Sequence, residues 1–383
     1  MIIGVVKESV AGERRVALVD ESVRRLVKGG HRLLVETGAG NEAGVDDETY
    51  RRAGAEIVAA AGEVLAGAQV VVKVRVPSAL EAEALGEGCL VIGLLEAEAH
   101  PDRLRQMAAR GTTAMALEKV PRIARAQSMD VLSSMSTVAG YRACLLAAEA
   151  LPRFFPLLMT AAGTITPANV LIIGAGVAGL QAIGTARRLG ARVEAFDPRP
   201  AAREQVESLG ARFVGAQLLD ASVETAGGYA REQTDDERAR QREFLQKAIA
   251  AADVIICSAL VAGRKAPVVL DEEMVKLMRP GAVVIDLAAE QGGNCALTEA
   301  GADVVRHGVT IRGPLNVPSS LPQDASRMFS RNVTTLLNHL IKDDQLIALD
   351  EDEIARPCLV VHGGRLWAAG EPSSDGVTDG GEA

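Results

Sequence analysis

The segment Asn169–Leu180 constrains the fold of this chain more than any other. An apolar run, Val170–Ile173, precedes three glycines in GxGxxG spacing (Gly174, Gly176 and Gly179), and a helical pattern follows them. In a strand–turn–helix unit, the first glycine permits a tight turn, the second lets a pyrophosphate approach the backbone, and the third allows close helix–strand packing. The helix N-terminus offers free N–H groups and a positive dipole end to phosphates. The segment therefore predicts a Rossmann-type sheet with a dinucleotide site.

The residue after the next predicted strand indicates which dinucleotide is bound. Asp197 directly follows Arg192–Phe196, roughly twenty residues beyond the first glycine, as such sites require. A carboxylate there can accept hydrogen bonds from both ribose hydroxyls, and it repels a 2′-phosphate. We therefore expect NAD(H) rather than NADP(H), with Arg199 weakening the preference slightly. The alternative is a glycine-rich turn that closes a sheet without a ligand, and the register of strand, helix and acid argues against it.

Strand-like and helix-like segments alternate along the chain, which predicts an α/β protein with parallel sheets. The strands predicted before the glycine motif are Ile2–Val6, Arg32–Glu36, Val70–Val76, Leu90–Leu95 and Thr113–Leu117. Those predicted from the motif onward are Val170–Ile173, Arg192–Phe196, Arg212–Val214, Val254–Ser258, Val283–Asp286, Val309–Ile311 and Cys358–Val361. The pattern favours two Rossmann-like parallel-sheet domains.

Two long helices, about Val131–Leu151 and Gln323–Ile341, flank the second series of strands and would link the domains. We predict a discontinuous N-terminal Rossmann-like domain over residues 1–135 and 325–370, and a dinucleotide-binding Rossmann domain over residues 136–324. Residues 371–383 are rich in glycine, serine and acidic side chains, which predicts a disordered tail.

Composition excludes several other classes of function. The net charge of −9 and the aromatic content of 3% argue against a nucleic-acid partner. The five cysteines lack CxxC spacing, so we expect reduced, buried thiols and no metal site. The uncharged stretch Ala168–Ala186 contains several glycines and fits a buried strand–turn–helix better than a membrane span, and the N-terminus lacks signal-peptide features. We expect a soluble protein.

A second polar motif lies in the segment Arg122–Ser133. Its polar side chains alternate with apolar ones, and they are those of Arg122, Arg125, Gln127, Asp130 and Ser133. Such a set can form a shared hydrogen-bond network and can hold the amide and phosphates of a dinucleotide. The segment therefore predicts a second wall of the same site.

An insertion of about forty residues separates the predicted strands that end at Val214 and begin at Val254, and insertions of that length are usually functional or disordered. It contains the paired glycines of Thr225–Ala230 beside Tyr229. We favour a hinged lid in which Tyr229 covers the cofactor. The alternative is a solvent-exposed loop that contacts no ligand.

These motifs together resemble the alanine dehydrogenase and transhydrogenase superfamily, and the resemblance covers about residues 1–370. The segments that carry it are Lys7-Glu8, Arg14–Leu18, Val72–Pro77, the GxGxxG and Ile285–Gly293. Within the superfamily, Arg122–Ser133 and Ala226–Tyr229 look like the NAD(H)-binding domain I of the proton-translocating nicotinamide nucleotide transhydrogenases.

The resemblance implies direct hydride transfer from NADH to NADP⁺ held on a partner domain, coupled to proton translocation by a membrane subunit. It implies a homodimer whose partners are a membrane-spanning subunit and an NADP(H)-binding subunit. It also implies that this chain lies on the cytoplasmic face of the inner membrane, and that NAD(H) binds in the cleft between the two domains. The predicted catalytic residues are Gln127, Asp130 and Arg122. The predicted cofactor-binding residues include the fingerprint glycines and Tyr229. The full set is Arg122, Gln127, Asp130, Ser133, Gly174, Gly176, Val177, Gly179, Asp197, Pro198, Arg199, Gly228, Tyr229, Gln241 and Leu260.

The roles we assign within the Arg122–Ser133 segment follow from this resemblance. Gln127 would reach toward the second nucleotide, because its amide is uncharged and can both donate and accept. Asp130 would orient Arg122 through an ion pair, and Ser133 would anchor the amide side of the nicotinamide.

Departures from the alanine dehydrogenase pattern separate the two branches. In alanine dehydrogenases a lysine and a histidine handle the substrate carboxylate and the proton, and an aspartate follows the strand that resembles Ile-Asp-Leu. The aligned positions of this chain are Arg75, Glu96 and Glu290. We expect Lys73, one pleat away from Arg75, to point to the opposite face of its strand. Oxidative deamination needs a base that titrates near neutrality, and none of the histidines of this chain sits in a motif.

Two alternative functions stay open: a stand-alone alanine dehydrogenase-like oxidoreductase and a non-catalytic NAD-binding module. In a dehydrogenase, Arg15, Lys73 and Arg75 would bind a substrate carboxylate. We favour the interpretation that they form structural ion pairs.

Overall fold

The computed structural model describes residues 1–216, 234–260 and 265–367. They form two compact units, the first built from Met1–Met135 and the chain from Ser319 onward, the second from Ser136–Pro318. Each unit contains a largely parallel sheet, which confirms the predicted α/β class with two parallel-sheet domains. Gly228, Tyr229 and the predicted tail, residues 371–383, lie outside the described residues.

The first unit begins with alternating strands and helices. They are β1 (Ile2–Val5), α1 (Asp20–Lys28), β2 (Arg32–Glu36), α2 (Asp47–Ala53), β3 (Glu56–Val58), α3 (Ala61–Gly67), β4 (Val70–Arg75), α4 (Ala79–Ala84), β5 (Leu90–Leu94), α5 (Pro101–Ala109) and β6 (Thr113–Ala116). The inner strands β4 and β5 are nearly continuous apolar runs, as expected for parallel strands covered on both faces. Side chains also cap the helices: Ser78 and Glu81 form a capping box at the start of α4.

The long helix α6 (Val131–Ala150) follows, and the division between the two units falls within it. Among the described residues it is the one helix long and apolar enough to cross a membrane by length and composition, a test that core helices also pass. The predicted span of this helix differs from the observed one by a single residue at its end.

The second unit contains the elements β7 (Leu158–Thr160), β8 (Gly163–Ile165), β9 (Asn169–Ile173), α7 (Val177–Arg188), β10 (Arg192–Phe196), α8 (Pro200–Ser208), β11 (Arg212–Phe213), α9 (Asp235–Ala251), β12 (Val254–Cys257), α10 (Glu272–Lys276), β13 (Val283–Asp286), β14 (Asp303–Arg306) and β15 (Val309–Arg312). Its seven-stranded sheet has the order β11-β10-β9-β12-β13-β15-β14, parallel except for β14. The strands β7 and β8 form a separate antiparallel hairpin.

The chain then returns to the first unit through α11 (Pro322–Leu340), β16 (Ile341–Lys342), β17 (Gln345–Leu346), α12 (Ala355–Cys358), β18 (Leu359–His362) and β19 (Arg365–Leu366). Strands β18 and β19 complete an eight-stranded sheet of order β19-β18-β6-β5-β4-β1-β2-β3, in which they run antiparallel to their neighbours. Every predicted strand is present, with ends that differ by at most one residue. The prediction missed β3, β14, the hairpin β7–β8 and the short strands β16, β17 and β19.

Small polar side chains of the return segment hold an extended stretch near the N-terminus. The backbone N–H groups of Arg14, Val16 and Val19 donate to the hydroxyl oxygens of Ser319, Ser326 and Ser330, at 2.6, 3.0 and 3.0 Å. These bonds satisfy backbone groups that have no helix or strand partner. The motif Arg14–Leu18 is therefore fixed by contacts from residues some three hundred positions away.

The five cysteines are all free and buried, as predicted. Burial raises the pKa of the Cys89 thiol to about 12. Since the thiolate is the reactive form, such a group is inert at neutral pH.

Candidate dinucleotide-binding site

The three glycines of the fingerprint have three different surroundings between β9 and α7. Gly174 has a φ of +95°, a conformation that side chains disfavour. A Cβ on Gly179 would lie 1.9 Å from the carbonyl oxygen of Gly174, so only glycine lets the helix pack there. A Cβ on Gly176 would have a single neighbour within 4 Å, the Nη2 atom of Arg199 at 4.0 Å. The turn thus needs two glycines for its own packing and leaves space at the third.

The N-terminus of α7 is suited to an anion. Its N-cap is Gly176, which has no side chain to cap the first turn. The next residue, Val177, is 41% exposed, so this end of the helix is accessible. Uncapped N–H groups and the helix dipole favour a phosphate at such a position.

The helix α6 supports α7 through Gly140, a residue that the sequence reasoning missed. A Cβ on Gly140 would lie 2.0 Å from the carbonyl oxygen of Ala178, in the first turn of α7. The two helices can therefore approach this closely only because residue 140 lacks a side chain. A glycine within a helical pattern was the available signal, but its neighbour could not be read from the sequence.

Asp197 lies at the end of β10 and is 3% exposed. Its Oδ2 accepts from the N–H of Ala175 at 2.8 Å, which ties it to the glycine turn. Arg199 supplies three more hydrogen bonds: its backbone N–H and Nε donate to Oδ1 at 2.9 and 2.8 Å, and its Nη2 donates to Oδ2 at 2.8 Å. Pro198 lies between them and is half-buried.

Arg199 therefore occupies the acceptors that a ribose would use. Each carboxylate oxygen of Asp197 receives two hydrogen bonds, which fills its lone-pair positions. The Nη2 atom also lies against Gly176, on the predicted path of the pyrophosphate. A ribose at this position would compete with the guanidinium of Arg199 for the carboxylate of Asp197.

Two further predicted residues lie in the second unit. Gln241, on α9, is 8% exposed, and its Oε1 is buried without a hydrogen-bond partner among the residues that the structure describes. An unsatisfied buried acceptor is costly and is expected to find a donor in another state of the site. Leu260 follows β12 and is 40% exposed, so it can provide apolar surface. The orphaned acceptor, the open Gly176 and the uncapped helix all fit a dinucleotide.

A buried network that the sequence reasoning missed fixes the strand ends beside the glycine turn. Asn294 is fully buried; its Oδ1 accepts from the N–H of Ala259, and its Nδ2 donates to the carbonyl oxygens of Ala259 and Pro267. Asp286 is also fully buried, and its Oδ2 accepts from the backbone of Asn294 and the hydroxyl of Thr298. The Ile285–Gly293 motif thus contains a structural carboxylate.

The motif Arg122–Ser133 lies in the first unit, so the predicted site residues form two groups, one in each unit. Residues Ala124–Met129 form a 3-10 turn, on which Gln127 is exposed. Asp130 caps α6: its Oδ1 accepts from the N–H of Ser133 at 2.9 Å, and its Oδ2 from the hydroxyl of Ser133 at 2.5 Å. Asp130 thus serves the helix N-terminus, and its predicted ion pair with Arg122 stays a prediction.

The cations of the first unit that would bind a substrate carboxylate in a dehydrogenase are paired with glutamates. Lys73 is completely buried, and its Nζ lies 2.6 Å from Glu81 and 3.8 Å from Glu8. Burial would raise the pKa of Glu81, but the charge and hydrogen bond of Lys73 lower it overall. Burial raises the pKa of Glu8 to about 7, against the opposing charge of Lys73. Lys73 thus neutralises Glu81, while Glu8 retains a proton up to neutral pH.

The two arginines of this cluster are also paired. Arg15 and Glu13 form a buried pair at 2.7 and 2.6 Å. Arg75 contacts Glu13 at 3.1 Å and Glu96 at 2.7 Å. The favoured interpretation of structural ion pairs thus matches the contacts that these cations make.

The expectation that strand alternation points Lys73 to the face opposite Arg75 was wrong. Residues two apart in a regular strand share a face. The pairing of β4 with β5 instead shifts register between Val72 and Arg75, which interrupts the alternation. Glu8 stabilises this irregularity by accepting from the N–H groups of Val74 and Arg75 at 2.6 and 3.2 Å.

Comparison with known proteins assigns the family. The family models described as the N-terminal and C-terminal domains of alanine dehydrogenase/PNT match residues 4–139 and 143–369. A Rhodospirillum rubrum protein named as the first part of the NAD(P) transhydrogenase subunit alpha is 45% identical over 372 residues, covering 95% of this chain and 97% of that one. The alanine dehydrogenase of Bacillus subtilis is 33% identical and covers 87% of this chain and 84% of that protein.

A solved structure titled as the transhydrogenase from Sinorhizobium meliloti gives a TM-score of 0.84 at 40% identity, covering 96% of this chain and 98% of that one. The chain belongs to the alanine dehydrogenase/transhydrogenase family. Its high-coverage relatives place it with the transhydrogenase α subunits, as an NAD-binding oxidoreductase.

Proposed function

We propose that the chain is the NAD(H)-binding subunit of a proton-translocating transhydrogenase and passes a hydride from NADH directly to NADP⁺ on a partner domain. The observation that carries the proposal is the pairing of Lys73, Arg15 and Arg75 with glutamates, at the positions where an amino-acid dehydrogenase would hold its substrate. Because glutamates occupy these three cations, the arrangement suits a reaction that needs no cation for a substrate carboxylate.

Direct hydride transfer between two nicotinamides moves no proton, so it requires no general acid or base. The protein must bring the two C4 atoms to about 3–3.5 Å and exclude water. NAD supplies the hydride carrier when bound. Gly176 and the N-terminus of α7 would hold its pyrophosphate, and Asp197 its ribose after Arg199 moves.

The remaining predicted residues have proposed roles around this core. Gln241 and Leu260 would line the cofactor, the first through its orphaned Oε1. Gln127 would contact the nicotinamides, since its exposed amide stands on the 3-10 turn. Arg122 and Ser133 would bind the amide and phosphate groups. Asp130 would act by capping α6 and holding Ser133.

The partners and location belong to the same proposal. A membrane-spanning subunit would translocate protons, an NADP(H)-binding subunit would accept the hydride, and the complex would hold this chain at the cytoplasmic face of the inner membrane. The names of the relatives support a multi-subunit assembly, since they denote an alpha subunit or the first part of one.

We also propose that the chain is a homodimer. The hairpin β7–β8 and the residues before it expose apolar side chains, with Met159 80% exposed and Phe154 54%. Exposed apolar surface of this kind marks contact sites. Sedimentation should show a dimer, and Met159→Asp should shift it toward monomer; a wild-type monomer at micromolar concentration would contradict the dimer.

Reconstitution with an NADP-binding domain of a transhydrogenase tests the function. NADH should reduce an NADP⁺ analogue only when both proteins are present, and Gln127→Asn should slow transfer at least about tenfold while NADH binding changes little. NADH formation from alanine and NAD⁺ by the isolated chain would support the dehydrogenase alternative instead. NADH binding without transfer in the reconstituted pair would support the non-catalytic module.

A further inference from the structure

The 3-10 turn that carries Gln127 is held by the return segment of the same unit. Ala126 and Met129 are 0% and 5% exposed, so one side of the turn is buried while Gln127 faces outward. On α11, Asn332 donates from Nδ2 to the carbonyl oxygen of Ser128 at 2.8 Å. This side chain therefore contacts the backbone directly after Gln127.

Asn332 also has an acceptor that this arrangement leaves unused. The residue is 8% exposed, and its Oδ1 is buried with no hydrogen-bond partner in the described part of the chain. Leaving a buried acceptor unsatisfied is costly, so a state of the turn that supplies a donor is favoured. The turn itself carries suitable chemistry, since the Gln127 and Ser128 side chains have N–H and O–H donors.

We propose that Asn332 is a positioning residue for hydride transfer, which rests on the proposed function. Its Nδ2 holds the turn by donating to the Ser128 carbonyl oxygen. When NADH binds, its Oδ1 accepts a hydrogen bond from a donor of the turn, and this fixes the Gln127 amide for transfer. Asn332 itself touches neither nucleotide. It acts through Gln127, and its loss should change the rate of transfer more than the affinity for NADH.

A second contact to the same turn provides a matched control. Arg125 and Glu353 form an ion pair at 2.5 Å, with side chains that are 67% and 55% exposed. Exposed pairs of this kind contribute little to stability, because solvent screens them. Glu353→Gln therefore removes a tether of the turn without disturbing a buried group.

The test compares Asn332→Leu, which is similar in shape but lacks both polar atoms, with Glu353→Gln. In the reconstituted assay, Asn332→Leu should lower kcat about tenfold, the effect of one hydrogen bond of ordinary strength, with the NADH KM within about threefold. Amide exchange over residues 123–130 of the isolated chain should accelerate by a similar factor, and NADH should no longer slow it. Glu353→Gln should leave both readouts near wild type.

Unchanged kcat and unchanged exchange in Asn332→Leu would overturn the inference, as would a loss of kcat matched by an equal rise in KM. If Asn332→Leu does not fold, Asn332→Asp is the second variant. It retains the shape and the Oδ1 acceptor but replaces the Nδ2 donor by an oxygen, which cannot donate to the Ser128 carbonyl. The same outcomes apply. Absence of transfer by the wild-type pair would refute the proposed function, whereas the exchange measurement would still decide whether Asn332 holds the turn.

Discussion

Replacing Lys73 by methionine tests whether the charge cluster of the first unit is structural. The Lys73 side chain is 0% exposed, and its Nζ donates to Glu81 at 2.6 Å. Methionine fills a similar volume but leaves Glu81 buried without a cation, with hydrogen bonds from the hydroxyl of Ser9 and the N–H of Ser78. Removing one partner of a buried ion pair typically costs about 3–5 kcal/mol. Because whole domains are stable by about 5–15 kcal/mol, this is a large fraction of the total.

Urea unfolding followed by circular dichroism measures the effect, with NADH binding as the second readout. Lys73→Met should lower the stability of the first unit by about 3–5 kcal/mol, and the double variant Lys73→Met/Glu81→Gln should recover a large part of that loss, since no buried charge is left unpaired. NADH affinity of the folded protein should be unchanged. A stability loss below about 1 kcal/mol, or a loss of hydride transfer by an otherwise stable variant, would refute the structural interpretation.

Two further predictions concern the pH response and the glycine turn. The pKa of Glu8 is raised by burial from 4.5 to about 7, so its stabilising contribution is full below pH 4.5 and is lost as pH rises through 7. The stability of Glu8→Gln relative to wild type should therefore increase across that window, reaching at most about 3 kcal/mol above pH 7. Urea titrations in which this stability difference shrinks as pH rises would contradict the prediction. Gly176→Val should fold normally but bind NADH about tenfold more weakly, because its side chain would fill the space for the pyrophosphate. Gly179→Ala should unfold the turn, because its Cβ would meet a carbonyl oxygen at 1.9 Å. Calorimetry with and without NADH distinguishes the two variants, and equal stability losses would contradict the assignment.

Much of the fold follows from local patterns. The buried parallel strands are mostly continuous apolar runs, which is why β4, β5, β9 and β13 could be located from the sequence. The strands missed carry no such signal. The three residues of β3 are exposed or half-buried, the hairpin β7–β8 is largely exposed, and β14 is mostly exposed. Their pairing depends on neighbours distant in sequence.

The candidate site was predictable to a similar depth. Glycine spacing located the turn, and the acid after the next strand identified Asp197, because both signals are local. The ion pair between Arg199 and Asp197 could not be predicted from the sequence. Two groups of opposite charge close in sequence can either pair with each other or each face a ligand. The supporting contacts of Gly140 and Asn332 are made with residues distant in sequence, which composition and periodicity do not encode.

The most direct test of direct hydride transfer follows an isotope. NADH carrying deuterium at the transferred C4 position should be mixed with this chain, the NADP-binding domain and an NADP⁺ analogue in ordinary water. Mass spectrometry of the reduced analogue should show one deuterium per molecule formed, because no proton or solvent hydrogen takes part. A reduced analogue that carries solvent hydrogen, or a reaction that proceeds only when alanine or pyruvate is added, would contradict the account.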